Sequence, residues 1–273
     1  MSAITQWKKI VSAYRKASLK KGFQWQGEHA KWYDGWVKEN NYAEAVYPIF
    51  QPFVHGKVLE IGAGTGLFTQ YLMHDADHVD AVEPSADMLD LLKRNVCNKK
   101  NINYHKTNIE SFDFQMKCYE FSFAAHAFFN VLRIDEVLKE ILNHCEVMGV
   151  LIGSGKPLDI FQIFCEEHLL NQERPRPPCH LDLISVLEEC GLYYDIQFLH
   201  TSTTYCYESE AVLLEKVASQ CGIRESARGA FFTLISPHIQ KKKRGCFLQG
   251  NREHVCLLIS KTAADFNYCN TAK

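Results

Sequence analysis

The run Lys57-Val58-Leu59-Glu60-Ile61 leads into Gly62-Ala63-Gly64-Thr65-Gly66, so a carboxylate stands just ahead of a glycine-rich turn. Glycines between a strand and a helix let backbone amides reach a ligand with no Cβ in the way. They also present a helix N-terminus, which favours negative charge on the ligand. Glu60 is badly placed against a pyrophosphate and well placed near a cation. Leu67 occupies the position of the third glycine of a dinucleotide fingerprint, which disfavours a nicotinamide dehydrogenase. A second carboxylate, Glu83, closes the next apolar run, His78–Val82, 17 residues after Gly66. An acid there can accept hydrogen bonds from both hydroxyls of a ribose. His126 follows a further apolar run, Tyr119–Ala125. Its near-neutral intrinsic pKa suits it to take a proton from a hydroxyl or amine; the competing reading is a packed pocket wall beside Phe128 and Phe129.

These segments resemble the signature regions of class I S-adenosylmethionine-dependent methyltransferases. Val58–Gly66 and Val79-Asp80-Ala81-Val82-Glu83-Pro84-Ser85 are similar to the first two. Thr107-Asn108-Ile109-Glu110 matches the segment after the third strand, with Asn108 where the family usually has aspartate. Tyr119–His126 is similar to the fourth-strand segment, with Glu120 where aspartate is commoner. The resemblance spans about residues 30 to 155. It implies S-adenosylmethionine as methyl donor and S-adenosylhomocysteine as product. The implied cofactor contacts are Glu60, Gly62, Ala63, Gly64, Gly66, Glu83, Pro84, Met88, Asn108, Ile109, Glu110 and Ala125. Tyr33 resembles the aromatic position that closes over the cofactor in relatives, where an electron-rich ring can face a sulfonium; a core aromatic is the alternative. Tyr33 and His126 are the candidate catalytic residues, and no metal is expected.

Positioning these residues calls for alternating strands and helices. Helical spacing marks Thr65–His74, a helix capped by Ser85 and running to about Cys97, and Ile134–Cys145. Strand patterns mark 57–61, 78–82, 101–105, 119–125 and 147–153. Five strand–helix units in series predict an α/β fold: a doubly wound, mostly parallel seven-stranded sheet of Rossmann-like type, with N-terminal helices and a helical insertion or cap. The ligand then sits outside the carboxyl ends of the strands. Residues 1–55 read as a helical, aromatic cap. Residues 56–273 read as the methyltransferase domain, with insertions at about 155–190 and 208–245 that would roof the active site. Within them Pro157–Leu170, Leu181–Cys190, Glu210–Cys221 and Arg228–Ile239 look helical. Tyr193–Tyr207 and His254–Ser260 have strand character, and Lys241-Lys242-Lys243-Arg244 reads as a solvated turn.

Composition narrows the function classes. The chain has 273 residues, 47% hydrophobic and 23% charged, with a formal net charge of −2. That is ordinary globular composition without the basic footprint of a nucleic-acid binder. No run is long and apolar enough for a signal peptide or membrane span, so the expected location is cytoplasmic. The eleven cysteines are scattered with no Cys-x-x-Cys spacing, which gives a zinc or cluster site no support and fits a reducing compartment. Gly153-Ser154-Gly155-Lys156 is followed by Pro157 where a phosphate loop needs Ser or Thr. The leading expectation is in-line methyl transfer to a small-molecule acceptor. Methylation of protein or tRNA, or cofactor binding without catalysis, are the alternatives. The acceptor, the atom attacked, and the choice between monomer and homodimer stay open.

Overall fold

A computed structural model describes residues 1–20, 25–96, 100–114, 118–155, 175–221, 223, 225–243 and 245–270. The helix expected over Pro157–Leu170, with Lys156, lies outside them, as do Gly22, Phe23, Cys97 and Cys165. The chain divides into two compact units. The first comprises 1–154, 176–199 and 254–273; the second comprises 155–175 and 200–253.

The helices are α1 (Ala3–Lys20), α2 (Gly27–Glu39), α3 (Ala43–Phe50), α4 (Thr69–Asp75), α5 (Ala86–Asn95), α6 (Ile134–His144), α7 (His180–Glu189), α8 (Glu210–Cys221) and α9 (Arg228–Ile235). The strands are β1 (Lys57–Ile61), β2 (His78–Val82), β3 (Ile102–His105), β4 (Tyr119–Ala125), β5 (Cys145–Gly153), β6 (Tyr193–Tyr207), β7 (Gln240–Lys242) and β8 (Gly245–Ser260). Seven strands follow the order β3-β2-β1-β4-β5-β8-β6, and the short β7 pairs with β8 off that path. The first five strands are parallel. β8 returns antiparallel to β5, from Val147 opposite Ser260 to Gly153 opposite His254. The sheet is thus doubly wound and mostly parallel, as expected, with an eighth short strand added.

Strand order reverses between β1 and β4, so their carboxyl ends open a crevice at the switch point. The sheet is covered on both faces, as a parallel sheet must be. Leu59, Ile61, Met148 and Val150 face one core with Trp7, Leu138, Ile141 and Leu183, which belong to α1, α6 and α7. Val58, Phe121, Phe123 and Leu151 face the other with Val46, Phe50, Leu72 and Leu92, from α3, α4 and α5. Gly149 is required by this second core. A Cβ there would stand 2.6 Å from Phe121 and 2.7 Å from Phe50.

Trp7 anchors α1. It is fully buried, and its indole Nε1 donates to the Val131 carbonyl at 2.7 Å. Replacing it by Ala should cost about 3–5 kcal/mol through lost burial and the cavity left behind. Trp7→Phe, which keeps much of the ring but not the donor, should cost only about 1–3 kcal/mol. Urea unfolding checks both; equal losses would assign the effect to the indole donor rather than to burial and shape.

Several boundaries differ from the sequence expectation. The helix expected from Thr65 begins only at Thr69, because Gly66 takes φ +94 and the loop continues through Phe68. The Ser85-capped helix ends at Asn95; the cap is present, with Ser85 Oγ accepting from Met88 N at 3.3 Å. α9 stops at Ile235 because Pro237 cannot supply an amide to continue it. The last strand starts at Gly245 rather than His254, and Gln240–Lys242 is a strand of a hairpin with it rather than a turn.

In the second unit α8, α9 and β8 contribute Leu213, Val217, Phe231, Ile235 and Leu248 to a small core of its own. Lys241 of its basic run pairs with Glu210 at 2.7 Å and is exposed. Among the described residues, no helix is long and apolar enough to cross a membrane, and no group of three or more His, Cys, Asp or Glu could hold a metal ion.

Candidate active site

The glycine turn is built against the ends of β2 and β4. Gly62 N and Ala63 N donate to the Val82 carbonyl at 2.8 and 3.1 Å. Gly62 has φ +69, and a Cβ on it would stand 2.6 Å from the Ala127 Cβ. Only glycine lets the loops after β1 and β4 approach this closely. The same contact brings His126, one residue before Ala127, beside the loop.

Two buried carboxylates flank the turn. Glu83 is 6% exposed. One of its oxygens accepts from Gly64 N at 2.9 Å and the other from Ser85 N at 2.8 Å. Each carboxylate oxygen still has a lone pair to offer. Burial pushes the Glu83 carboxyl up, and the two backbone donors oppose the shift. Glu60 is 3% exposed and accepts from Thr69 Oγ1 at 2.6 Å. Burial pushes it up to about 8; the Thr69 hydroxyl lowers it and the neighbouring Glu83 charge raises it further. At neutral pH Glu60 is therefore mostly protonated until a cation joins it. In the glycine turn, Thr65 Oγ1 is buried with no hydrogen-bond partner among the described residues.

The other predicted residues fall into place unevenly. Met88 is buried at the start of α5, and Pro84 beside it is exposed. Asn108 is exposed at the head of a short 3-10 turn whose first residue, Ile109, is buried. Ala125 is half-buried at the tip of β4. Glu110 points elsewhere: its Oε1 accepts from Arg133 N at 3.0 Å, and its carbonyl accepts from the Arg133 guanidinium at 3.2 Å. That side chain is engaged with Arg133. Tyr33 is half-buried on α2, edge-on to Trp25 at 5.0 Å and 6.3 Å from Trp36. Asn95 ties α2 to the glycine turn, donating to Asp34 at 2.6 Å and to the Thr65 carbonyl at 2.8 Å. Ser85 Oγ also donates to the Trp25 carbonyl. The segment carrying Tyr33 is thus fastened to the same strand ends as the two carboxylates.

His126 has φ +52, a left-handed conformation that costs a non-glycine residue on the order of 1 kcal/mol. Its amide donates to the Leu151 carbonyl at 2.8 Å, which holds the turn against β5. Its ring stacks on Phe129, 5.9 Å between centroids. Two neighbours escaped the sequence reading. Tyr42 lies 6.1 Å from His126 and 5.8 Å from Phe68 of the glycine turn. His254 stacks on Tyr42 at 5.0 Å with a 15° interplanar angle, and lies 6.1 Å from His126.

Residues 59–153, about a third of the chain, match the family model described as a methyltransferase domain. No curated protein sequence matches the chain. Solved structures match its fold at low identity. The plantazolicin methyltransferase BamL, solved with a triazolic desmethylPZN analog and SAH, superposes with TM-score 0.55 at 11% identity over 94% of this chain and 99% of that one. The plantazolicin methyltransferase BpumL, solved with SAH, gives 0.53 at 12% over 95% and 98%. The YcgJ protein from Bacillus subtilis gives 0.53 at 12% over 80% and 98%. The chain's fold is that of the solved methyltransferases BamL and BpumL.

Proposed function

We propose that this protein transfers a methyl group from S-adenosylmethionine to a small-molecule acceptor. The observation that carries the reading is the pair Glu60 and Glu83, both buried and both set against a turn that Gly62 keeps free of side chains. The residues fit the ligand. A carboxyl held up to about 8 by burial is a site that a ligand ammonium would relieve. Glu83 retains acceptor capacity for ribose hydroxyls, and the buried Thr65 hydroxyl awaits a partner. Gly62, Ala63, Gly64 and Gly66 would line the approach. Pro84, Met88, Asn108, Ile109 and Ala125 would surround the adenosine, and the Tyr33 ring would face the cationic end. Glu110 would serve through its backbone, since its carboxylate holds Arg133. BamL and BpumL were solved with SAH, which supports S-adenosylmethionine as the methyl donor.

Bound there, S-adenosylmethionine supplies an electrophilic methyl whose carbon–sulfur electron pair returns to sulfur as the acceptor's lone pair forms the new bond. The protein's work is alignment and exclusion of water. His126, beside the glycine turn, takes the proton of an acceptor that arrives protonated. The near-neutral net charge and the apolar, aromatic surroundings of His126 favour a small acceptor over a nucleic acid.

Calorimetry with S-adenosylmethionine, S-adenosylhomocysteine and NAD tests the cofactor. Both adenosyl ligands should bind and NAD should not; failure of both sinks the reading. A methylation screen over metabolite extracts then supplies an acceptor. On it, His126→Ala should lower turnover by about 10²–10⁴-fold with S-adenosylhomocysteine binding intact. Full turnover would remove the base role.

A further inference from the structure

Polar contacts fasten α2 to both ends of α5. Ser85 Oγ donates to the Trp25 carbonyl and Gly27 N donates to the Asp87 carboxylate, so the head of α5 clips the start of α2. At the other end Asn95, the last residue of α5, meets Asp34 and Lys38 of α2. Resting on the methyltransferase reading, we propose that Asn95 is a positioning residue for the cofactor site: it couples the docking of α2 to the shape of the glycine turn, and so to cofactor affinity.

The Asn95 amide is engaged on every side. Its Nδ2 donates to Asp34 Oδ1 at 2.6 Å and to the Thr65 carbonyl at 2.8 Å, and its Oδ1 accepts from Lys38 Nζ at 2.9 Å. Flipped, it would turn its oxygen toward a carboxylate and a carbonyl and its NH₂ toward an ammonium, so only one orientation satisfies all three partners. Lys38 Nζ also donates to Asp34 Oδ2 at 2.7 Å, which closes a ring of three side chains. Asp34 is only 8% exposed. A carboxylate is buried at tolerable cost only with such partners, so the seat of α2 depends on Asn95. The same amide reaches the turn. Thr65 stands between Gly64 at φ +57 and Gly66 at φ +94, residues whose backbones resist rotation least. Glu83 pins Gly64 N on one side, and Asn95 pins the Thr65 carbonyl on the other. The second bond fixes the Thr65–Gly66 peptide, whose N–H donates to the Ala63 carbonyl at 3.0 Å. Asn95 therefore acts through the turn. By linkage, whatever factor the docking of α2 adds to cofactor affinity, the cofactor adds to the docking of α2.

A helix of 13 residues is marginal alone in water, so amide hydrogen exchange over residues 27–39 reports the docking of α2. Calorimetry with S-adenosylhomocysteine supplies the affinity. In wild-type protein the ligand should slow exchange across α2. Asn95→Asp keeps the shape but sets a carboxylate against Asp34 and the Thr65 carbonyl. It should speed α2 exchange in the unliganded protein and weaken S-adenosylhomocysteine binding by about tenfold or more. Adding Asp34→Asn to it restores a donor–acceptor pair between the two helices and an anion for Lys38, but the Thr65 carbonyl still faces a carboxylate. This double variant should recover slow α2 exchange and still bind the ligand weakly. Recovery of affinity in the double variant, as a plain brace would give, overturns the proposal, and so does recovery of neither property. Wild-type affinity or wild-type exchange in Asn95→Asp, or α2 exchange in the wild type that ignores the ligand, also overturns it. Should Asn95→Asp not fold, the side-chain amide signals of Asn95 in the wild type decide: they must shift on adding S-adenosylhomocysteine, and silence overturns the assignment. Wild-type protein that binds no S-adenosylhomocysteine would instead strike the underlying methyltransferase reading, and calorimetry reads that separately.

Discussion

Glu83→Ala should weaken S-adenosylhomocysteine binding by at least about a hundredfold, because hydrogen bonds to a charged group are worth about 1.5–3 kcal/mol each. The Glu83 carboxylate does two jobs at once. It fixes the glycine turn through Gly64 N and the head of α5 through Ser85 N, and it offers its remaining lone pairs outward. Alanine removes the acceptors a ribose would use and also leaves two backbone donors without their partner. The turn then loses the shape that Gly62 and Gly64 give it. Glu83→Gln separates the two jobs. Its amide oxygen can still satisfy one backbone donor, but its NH₂ faces the other, so the loss should fall between wild type and Glu83→Ala. Thermal melting of the unliganded protein should move far less than affinity, since burying this carboxylate is itself unfavourable. Calorimetric affinity that is indifferent to Glu83→Ala would remove the central support for the cofactor site.

The difference between what could be read from the sequence and what could not follows the range of the contacts. The run from Lys57 to Ser85 was legible because strand, turn, helix and strand are adjacent in the chain and each leaves a local pattern. The Ser85 cap was legible for the same reason, as its bond to Met88 N spans three residues. His126 was legible as the residue after an apolar run. Its left-handed backbone was not, because the conformation is imposed by the Leu151 carbonyl and by the approach of Ala127 to Gly62, across three strands. His254 sat at the head of an expected strand. Its place at the tip of β5 depends on antiparallel pairing with a segment a hundred residues earlier, which period and composition do not encode. Glu110 shows the converse. It matched a family segment by position, yet its side chain is taken by Arg133, a partner 23 residues on that no local pattern announces. Helix ends failed where a single glycine or proline overrode the apolar spacing, at Gly66 and Pro237.

Glu60 gives the site a pH signature of the same sign as that of Glu83, whose carboxyl burial also raises. The folded protein holds a proton on Glu60 up to about pH 8, whereas the unfolded chain releases it near 4.5. Between those values unfolding releases a proton, so the stability of the unliganded protein falls as pH rises. The slope due to this group is at most about 1.4 kcal/mol per pH unit. Glu60→Gln keeps the oxygen that accepts from Thr69 but has no charge to suppress, so it should flatten this slope and become the more stable protein at pH 8. Ligand binding should run the other way. An ammonium beside Glu60 favours the carboxylate, so binding expels the proton, and affinity for S-adenosylhomocysteine rises from pH 6 toward 8. Calorimetry at pH 6.5 in two buffers of different ionisation enthalpy should then show release of close to one proton on binding. At that pH the ligand's own amino group, with an ordinary pKa of about 7.7–8.0, is already mostly charged and contributes little. Glu60→Gln should abolish the release and weaken binding by about tenfold or more, the usual worth of a charge-assisted contact. Proton uptake, or a release that persists in Glu60→Gln, would show that the cation sits elsewhere. The stability slope would survive that result, because it depends on the burial of the carboxyl, the Thr69 hydroxyl and the neighbouring Glu83 charge, all set by the fold, and so the two measurements separate what the fold imposes on Glu60 from what the ligand does to it.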